Sequence, residues 1–374
     1  MRKLFVPALL LTLLMAATGC LPRLSTRPTF KIGLVGPFEG LYRHVGYDAL
    51  HAVKLALTER NQRGGVLGYT VELVVLNDDQ APESAVQRAR EMAVDPDVVG
   101  VIGHFGEETT VAALSVYQEA GLALVVPAAT SGAVTGSGHD QTYRLGADAG
   151  QIAEVAARYA VLEKGALRVA VVGGAEELAL SFVSSARGAG AEVSVHQGQD
   201  QTVLVAELVA EDPDLVFLAG EGIEGADLLL ALGDAGHDVP ILGGSSLDML
   251  RFVQVAGEAA EGMVYLGVAP DLQDRPFGEV YSDLSGSTPG PVAALSHDAA
   301  ELLLLAAERC ISLEGRPSRP CMAESLVAVQ RFEGLTGTIS FDDRGQAIGR
   351  PIYLYQIVGG RYPGRLLECA ACSS

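Results

Sequence analysis

Short, mostly apolar runs alternate along this chain with stretches whose apolar residues recur at helical spacing. Residues 31–35, 71–75, 98–102 and 122–126 are four such runs, each closed by glycine, proline or polar side chains. Between the first two, Ala49, Ala52, Val53, Ala56 and Leu57 fall along one helical face. Pro82 stands where a second helix would take its first turn, and helical spacing fills the gap between 102 and 122. Strand, loop, helix, strand is the repeat of a parallel sheet, whose strand-end loops gather at one edge. The rhythm restarts after Tyr143 and Arg144, with helices expected at 147–162, 176–190, 203–210 and 226–235. Strands are expected at 167–172, 193–195, 215–218 and 241–242. In 374 residues a restart favours two similar lobes over one very large sheet.

The expected fold class is α/β, with two doubly wound parallel-sheet lobes joined by a hinge that the chain crosses several times. Residues 31–145 begin lobe 1 and 146–268 form the main part of lobe 2. Near 264–268 the chain is expected to turn back, placing 269–345 and its long apolar helix, 292–308, on lobe 1. It then returns through 338–341 to a last strand, 352–357, so that 346–368 hold the return strand and hinge. Residues 369–374 are a C-terminal tail.

The first twenty residues stand apart. A basic start (Met1, Arg2, Lys3) leads into an apolar run from 4 to 15, then the small-residue exit Ala-Ala-Thr-Gly-Cys. The run is short for a spanning helix and predicts an export signal. It resembles the bacterial lipoprotein signal, which implies cleavage after residue 19 and lipidation of Cys20, with 20–30 as a tether. An ordinary signal peptide with a chance cysteine is the alternative. Either way the mature chain is expected outside the cytoplasm, in the cell envelope.

Composition narrows the function classes. With 26 Lys and Arg against 46 Asp and Glu the formal net charge is −20, which argues against a nucleic-acid partner. Four further cysteines (310, 321, 369, 372) allow three disulfide pairings in an exported protein. Cys310 with Cys321 is preferred, leaving Cys369 and Cys372 as a tight terminal pair or as free thiols. No histidine lies near them in sequence, so zinc is disfavoured. The glycine-rich pieces VGPFEG, VGGAEE and LGGSS lack phosphate-loop spacing. His104 has no nucleophile or acid placed to make a relay and reads as a hydrogen-bonded residue behind a loop. Asp78 and Asp79 are expected to cap the helix at Pro82, since calcium motifs need more regularly spaced oxygens. FDDRGQ (341–346) reads as a turn held by Asp342 and Asp343, with Gly345 at positive φ. No cofactor or metal is implied, and the overall pattern is a binding cleft without a reaction centre.

Five blocks in order carry a resemblance: KIGLVGPFEG followed by Gly46, ALTERNQRGGVLG, NDDQAPESAV, VVGVIGH…VVPAAT and FEGLTGTISFDDRGQ. Over nearly all of 31–362 the chain resembles the substrate-binding proteins of bacterial ABC importers. The likeness is to the leucine/isoleucine/valine branch of the type I periplasmic fold. That implies a monomer that closes two lobes over a small polar solute, an amino acid or cationic analogue, and presents it to a permease and ATPase complex. A ligand sensor and an envelope protein with an unused cleft are the rival readings.

The resemblance also implies a ligand set. Ala128, Ala129 and Thr130 match the second ligand loop, where Thr130 can donate its hydroxyl and N–H to a carboxylate. Tyr42 matches a covering aromatic, and Thr109 belongs to a threonine-rich helix start able to hold an anion. Glu107 falls where the branch has a carboxylate-binding serine, and Leu178 near a family tyrosine. Glu221 falls where the branch has a second-lobe tyrosine, and Ser245 replaces the glutamate that pairs with an ammonium. Either Glu107 or Glu221 takes over the ammonium, or the solute is an amide, a polyamine, a urea-like molecule or another cation. Glu107 could equally be a solvated loop-end acid. Glu108, Glu176 and Glu177 suit helix N-termini, where acids are favoured.

Overall fold

The computed structural model describes residues 27–136, 138, 141–173, 177–198, 200–220, 222–370 and 372. The export signal, Cys20 and the first part of the tether lie outside the described residues, as do Glu176 and Glu221.

Strands β1 (Thr29–Gly36), β2 (Thr70–Asn77), β3 (Val98–Ile102), β4 (Ala123–Val126) and β5 (Thr142–Arg144) form a five-stranded parallel sheet in the order β2-β1-β3-β4-β5. All five residues of β3 and all four of β4 are buried. Continuous apolar runs are what strands covered on both faces need. One face packs on helix Arg43–Gln62 and on the long helix Pro291–Glu314; the other packs on helices Pro82–Val94 and Glu107–Glu119. At Gly46 a Cβ would stand 2.0 Å from the Pro37 carbonyl oxygen, so only glycine lets helix Arg43–Gln62 approach the loop after β1 this closely.

The second sheet contains β6 (Arg168–Val172), β7 (Glu192–His196), β8 (Leu215–Leu218), β9 (Ile241–Gly243) and β10 (Val264–Gly267). After a small hairpin, β11 (Phe332–Gly334) with β12 (Gly337–Ile339), the chain adds β13 (Ile352–Val358) and β14 (Arg361–Ala370). The order is β14-β13-β10-β9-β8-β6-β7. Its β10-to-β7 part is parallel, but β13 runs antiparallel to β10 and β14 antiparallel to β13. The lobe is therefore mixed at one edge, and the expected tail at 369–374 begins inside β14. A hairpin turn at Gly359 and Gly360, both at positive φ, makes that antiparallel return.

The helix expected at 147–162 is shorter, Ala149–Ala157, and continues as a π-helical turn, Arg158–Glu163. Asp148 and Gln151 close its start in a reciprocal capping box. The capping role expected of Asp78 and Asp79 is not what the structure shows. The helix at Pro82 has Ala81 as N-cap with no side-chain bond; Asp78 turns inward and Asp79 accepts from Asn77 Nδ2 at 2.6 Å. In the 341–346 turn Asp342 Oδ1 accepts from the Arg344 and Gln346 amides, Gly345 has φ +78°, and no such bond involves Asp343 among the described residues. Helix Pro291–Glu314 buries Leu295, Leu302, Leu303 and Ala306 in the lobe 1 core. The Cys310 and Cys321 sulfurs are 2.13 Å apart.

Candidate ligand-binding cleft

The strand-end loops of the two sheets face each other across a cavity of about 990 Å³. Tyr42, Glu107, Thr109, Ala128, Ala129 and Thr130 line it from lobe 1, and Leu178 and Ser245 from lobe 2. The structure thus brings together every expected contact except Glu221, which lies outside the described residues.

Their roles differ in detail from the sequence reading. Thr130 Oγ1 donates to Glu107 Oε1 at 3.0 Å, so its proton is engaged by an acid within the wall. Thr109 is buried and its hydroxyl donates to the Gly106 carbonyl at 3.0 Å; it closes its own helix start and is not a free anion ligand. Gly106 is the N-cap of helix Glu107–Glu119 and offers no side-chain cap. The two acids of the first turn suit the positive end of that helix. Glu108 is exposed.

His104 lies behind this loop, fully buried. Its Nδ1 is 2.6 Å from Asp78 Oδ2 and its Nε2 is 3.1 Å from the Tyr117 hydroxyl. With the ring neutral, Nδ1–H donates to the carboxylate and Nε2 accepts from the phenol. Burial, with the Asp78 charge beside it, raises the Tyr117 pKa. The triad is sealed from the cleft and supports the loop from behind.

Four residues that the sequence reading did not place in the site shape it. Arg144, at the end of β5 and only 2% exposed, donates from one guanidinium nitrogen to the Thr130 and Ser131 carbonyls and from Nε to Gln346 Oε1. Burial lowers its pKa, while the charges of Asp148, Glu177, Glu107 and Asp342 oppose that shift; an arginine in such surroundings stays charged. Glu177, from lobe 2, accepts from Ser131 Oγ at 2.9 Å and the Gly132 amide at 2.8 Å. It joins the lobes and does more than favour its own helix. Asp48 accepts from the Tyr281 hydroxyl at 2.5 Å and the Ala293 amide at 3.1 Å, capping a helix 245 residues away. Asp248 accepts from Tyr362 at 2.9 Å. Burial pushes Asp48 up to about 6 and Asp248 up to about 7, hydrogen bonds from the tyrosines opposing it and the Asp48 charge adding to the shift at Asp248. Among the described residues no group of three or more His, Cys, Asp or Glu could hold a metal ion.

A family model described as periplasmic binding protein matches residues 29–361. The chain belongs to the periplasmic binding protein family. It is accordingly a substrate-binding protein and not an enzyme. It is 26% identical over 342 residues to the Leu/Ile/Val-binding protein BraC3 of Rhizobium johnstonii, covering 88% of this chain and 92% of that one. Among solved structures, a leucine-binding protein from Thermotoga maritima superposes with a TM-score of 0.82 at 24% identity, covering 91% of this chain and 98% of that one. That likeness concerns the fold. An ABC-transporter substrate-binding protein from Desulfitobacterium hafniense, in complex with Leu, superposes at 0.77 with 26% identity, covering 91% and 100%.

Proposed function

We propose that this binding protein is exported, tethered through a lipid on Cys20, and captures an amino acid or a related small polar solute for an ABC importer. The observation that carries the reading is the cavity shared by the two lobes, with the Glu107–Thr130 pair on one wall and Ser245 on the other. A charged solute leaving water needs its charges compensated, and these loops supply acceptors, hydroxyls and backbone amides. Closure then presents a surface to the permease that the open form lacks. The relatives' names point to branched-chain amino acids; the acid at 107 and the serine at 245 argue against carrying that ligand over unchanged. The chain is read as working as a monomer with two lobes and a crossing hinge, and with a Cys310–Cys321 disulfide formed after export.

The deciding experiment is a thermal-shift screen of the purified protein against amino acids, amines and organic acids, with mass spectrometry of whatever co-purifies. A solute that raises the unfolding temperature in a concentration-dependent way supports capture. No response across the screen, and no co-purifying solute, would remove it. Mass spectrometry of the N-terminus, comparing the native chain with Cys20→Ser, tests the tether.

A further inference from the structure

We infer that the group seated at the lobe 1 end of the cleft is a cation bearing several N–H donors, an ammonium, amidinium or guanidinium, held by Glu107 and Gln80. The inference rests on the reading of the cleft as a solute trap and names the solute class.

Three observations meet here. The Thr130 hydroxyl has one proton and directs it to Glu107 Oε1 at 3.0 Å, leaving lone pairs toward a guest. No other hydrogen bond to the Glu107 carboxylate is formed among the described residues, so most of its acceptor capacity is unused. Independently, Gln80 Oε1 is shut off from solvent and has no hydrogen-bond donor, although Gln80 lines the cavity. Its amide lies over Gly106, where a Cβ would come within 2.1 Å of Gln80 Nε2. Gly106, with no side chain, leaves room for Gln80 beside the loop that carries Glu107. A buried acceptor without a donor is costly, and a turn of the Gln80 side chain into the cavity lets a cation with N–H groups satisfy it together with the carboxylate.

The charge of the whole cavity points the same way. Its described lining carries the carboxylates of Glu107, Glu108 and Glu224, with Asp48 and Asp248, whose raised pKa values reduce their charge near neutral pH, against the single guanidinium of Arg251. His44 and His51 also line it, and burial lowers the pKa of each. Arg144 acts electrostatically on Glu107 from outside the lining, with its Nε and one terminal nitrogen engaged by Gln346, Thr130 and Ser131. A carboxylate placed against Glu107 would meet a like charge and acceptors. The serine expected at this position by the resemblance would do the opposite.

Isothermal calorimetry on the purified protein tests this with agmatine, putrescine, L-arginine and L-lysine as cations. L-leucine serves as the zwitterionic probe, with a single ammonium, and 4-methylpentanoate as the anionic probe without one. The expected result is that a cationic probe binds most tightly and that Glu107→Gln weakens it at least tenfold without shifting the unfolding temperature. Gln80→Leu, which removes the acceptor and leaves the carboxylate, should weaken the same probe about fivefold; it also serves if Glu107→Gln folds poorly. Tightest binding of 4-methylpentanoate, or of leucine with an affinity that Glu107→Gln leaves unchanged, overturns the cation assignment and leaves solute capture standing. So does a cationic probe indifferent to both substitutions. Leucine weakened by Glu107→Gln seats its ammonium there and supports the assignment. Silence from all six probes, and from the wider screen above, removes the capture reading and this inference with it.

Discussion

On the lobe 1 wall of the cleft, Thr130, Glu107 and the loop beneath them are tied by side chains, with Arg144 gripping two carbonyls from below. The facing wall carries Leu178, Glu224, Met249 and Arg251, and around Ser245 it is built from backbone and small residues: Ser246 Oγ donates to the Gly220 carbonyl at 2.6 Å, and Gly222 sits where a Cβ would be 2.6 Å from the Ser246 carbonyl oxygen. The first wall is organised by charged side chains before any guest arrives, and the Ser245 stretch of the second is held by bonds to backbone. Preorganised polar groups lower the cost of binding, which places selectivity mainly on lobe 1. Glu177 spans the gap and couples the two.

Arg144 is where the contrast between the walls breaks most severely. Replacing it as Arg144→Met leaves two carbonyls and Gln346 without their buried donor, and should cost about 3–5 kcal/mol of stability with loss of solute binding. Urea unfolding reads the first and calorimetry the second; an unshifted midpoint would refute the role. Next is pH. Asp248 has its folded pKa raised to about 7 and Asp48 to about 6 from the ordinary 3.8. The folded state then binds more protons than the unfolded state between about pH 4 and pH 7, so these groups make stability fall as pH rises through that window. Asp95 and Asp214, with lowered pKa values, act in the opposite sense under more acidic conditions. Urea unfolding of the native protein and of Asp248→Asn across pH 4.5–7.5 should show a shallower fall in the variant; parallel curves would exclude the group.

Smaller effects sharpen the contrast between walls. Thr130→Ala should weaken the solute about tenfold while leaving the fold intact, and an unchanged calorimetric affinity would show that the hydroxyl does not position Glu107 for binding. Glu177→Gln should weaken it about fivefold, and small-angle scattering should report a more open free form. Ser246→Ala on the lobe 2 wall should change affinity by no more than about threefold; a loss as large as that at Thr130 would mean that lobe 2 is equally committed.

Much of the cleft is legible in the sequence because it follows local rules. Thr130 and Glu107 can be placed at loop ends after apolar runs, and Gly345 at a turn position that needs positive φ. Thr109 escapes such rules because a hydroxyl at a helix start can serve either a guest or its own Gly106 carbonyl. Asp78 looks like a helix cap from its distance to Pro82, yet it is drawn inward by His104, 26 residues later. The antiparallel edge strand β14 gives little signal because its polar residues mark a half-exposed strand, without the continuous apolar run of β3.

Taken alone, the order of apolar runs, helical faces and turn residues determined the α/β architecture and the loops that carry the site, since these depend on neighbours within a few turns. Tertiary structure decided which polar groups those loops present. Arg144 meets Gln346 across 202 residues, Asp48 meets Ala293 across 245, and Glu177 reaches Ser131 from the other lobe. Each of these groups had several partners available to it in sequence; burial removes water as the alternative, and packing leaves one.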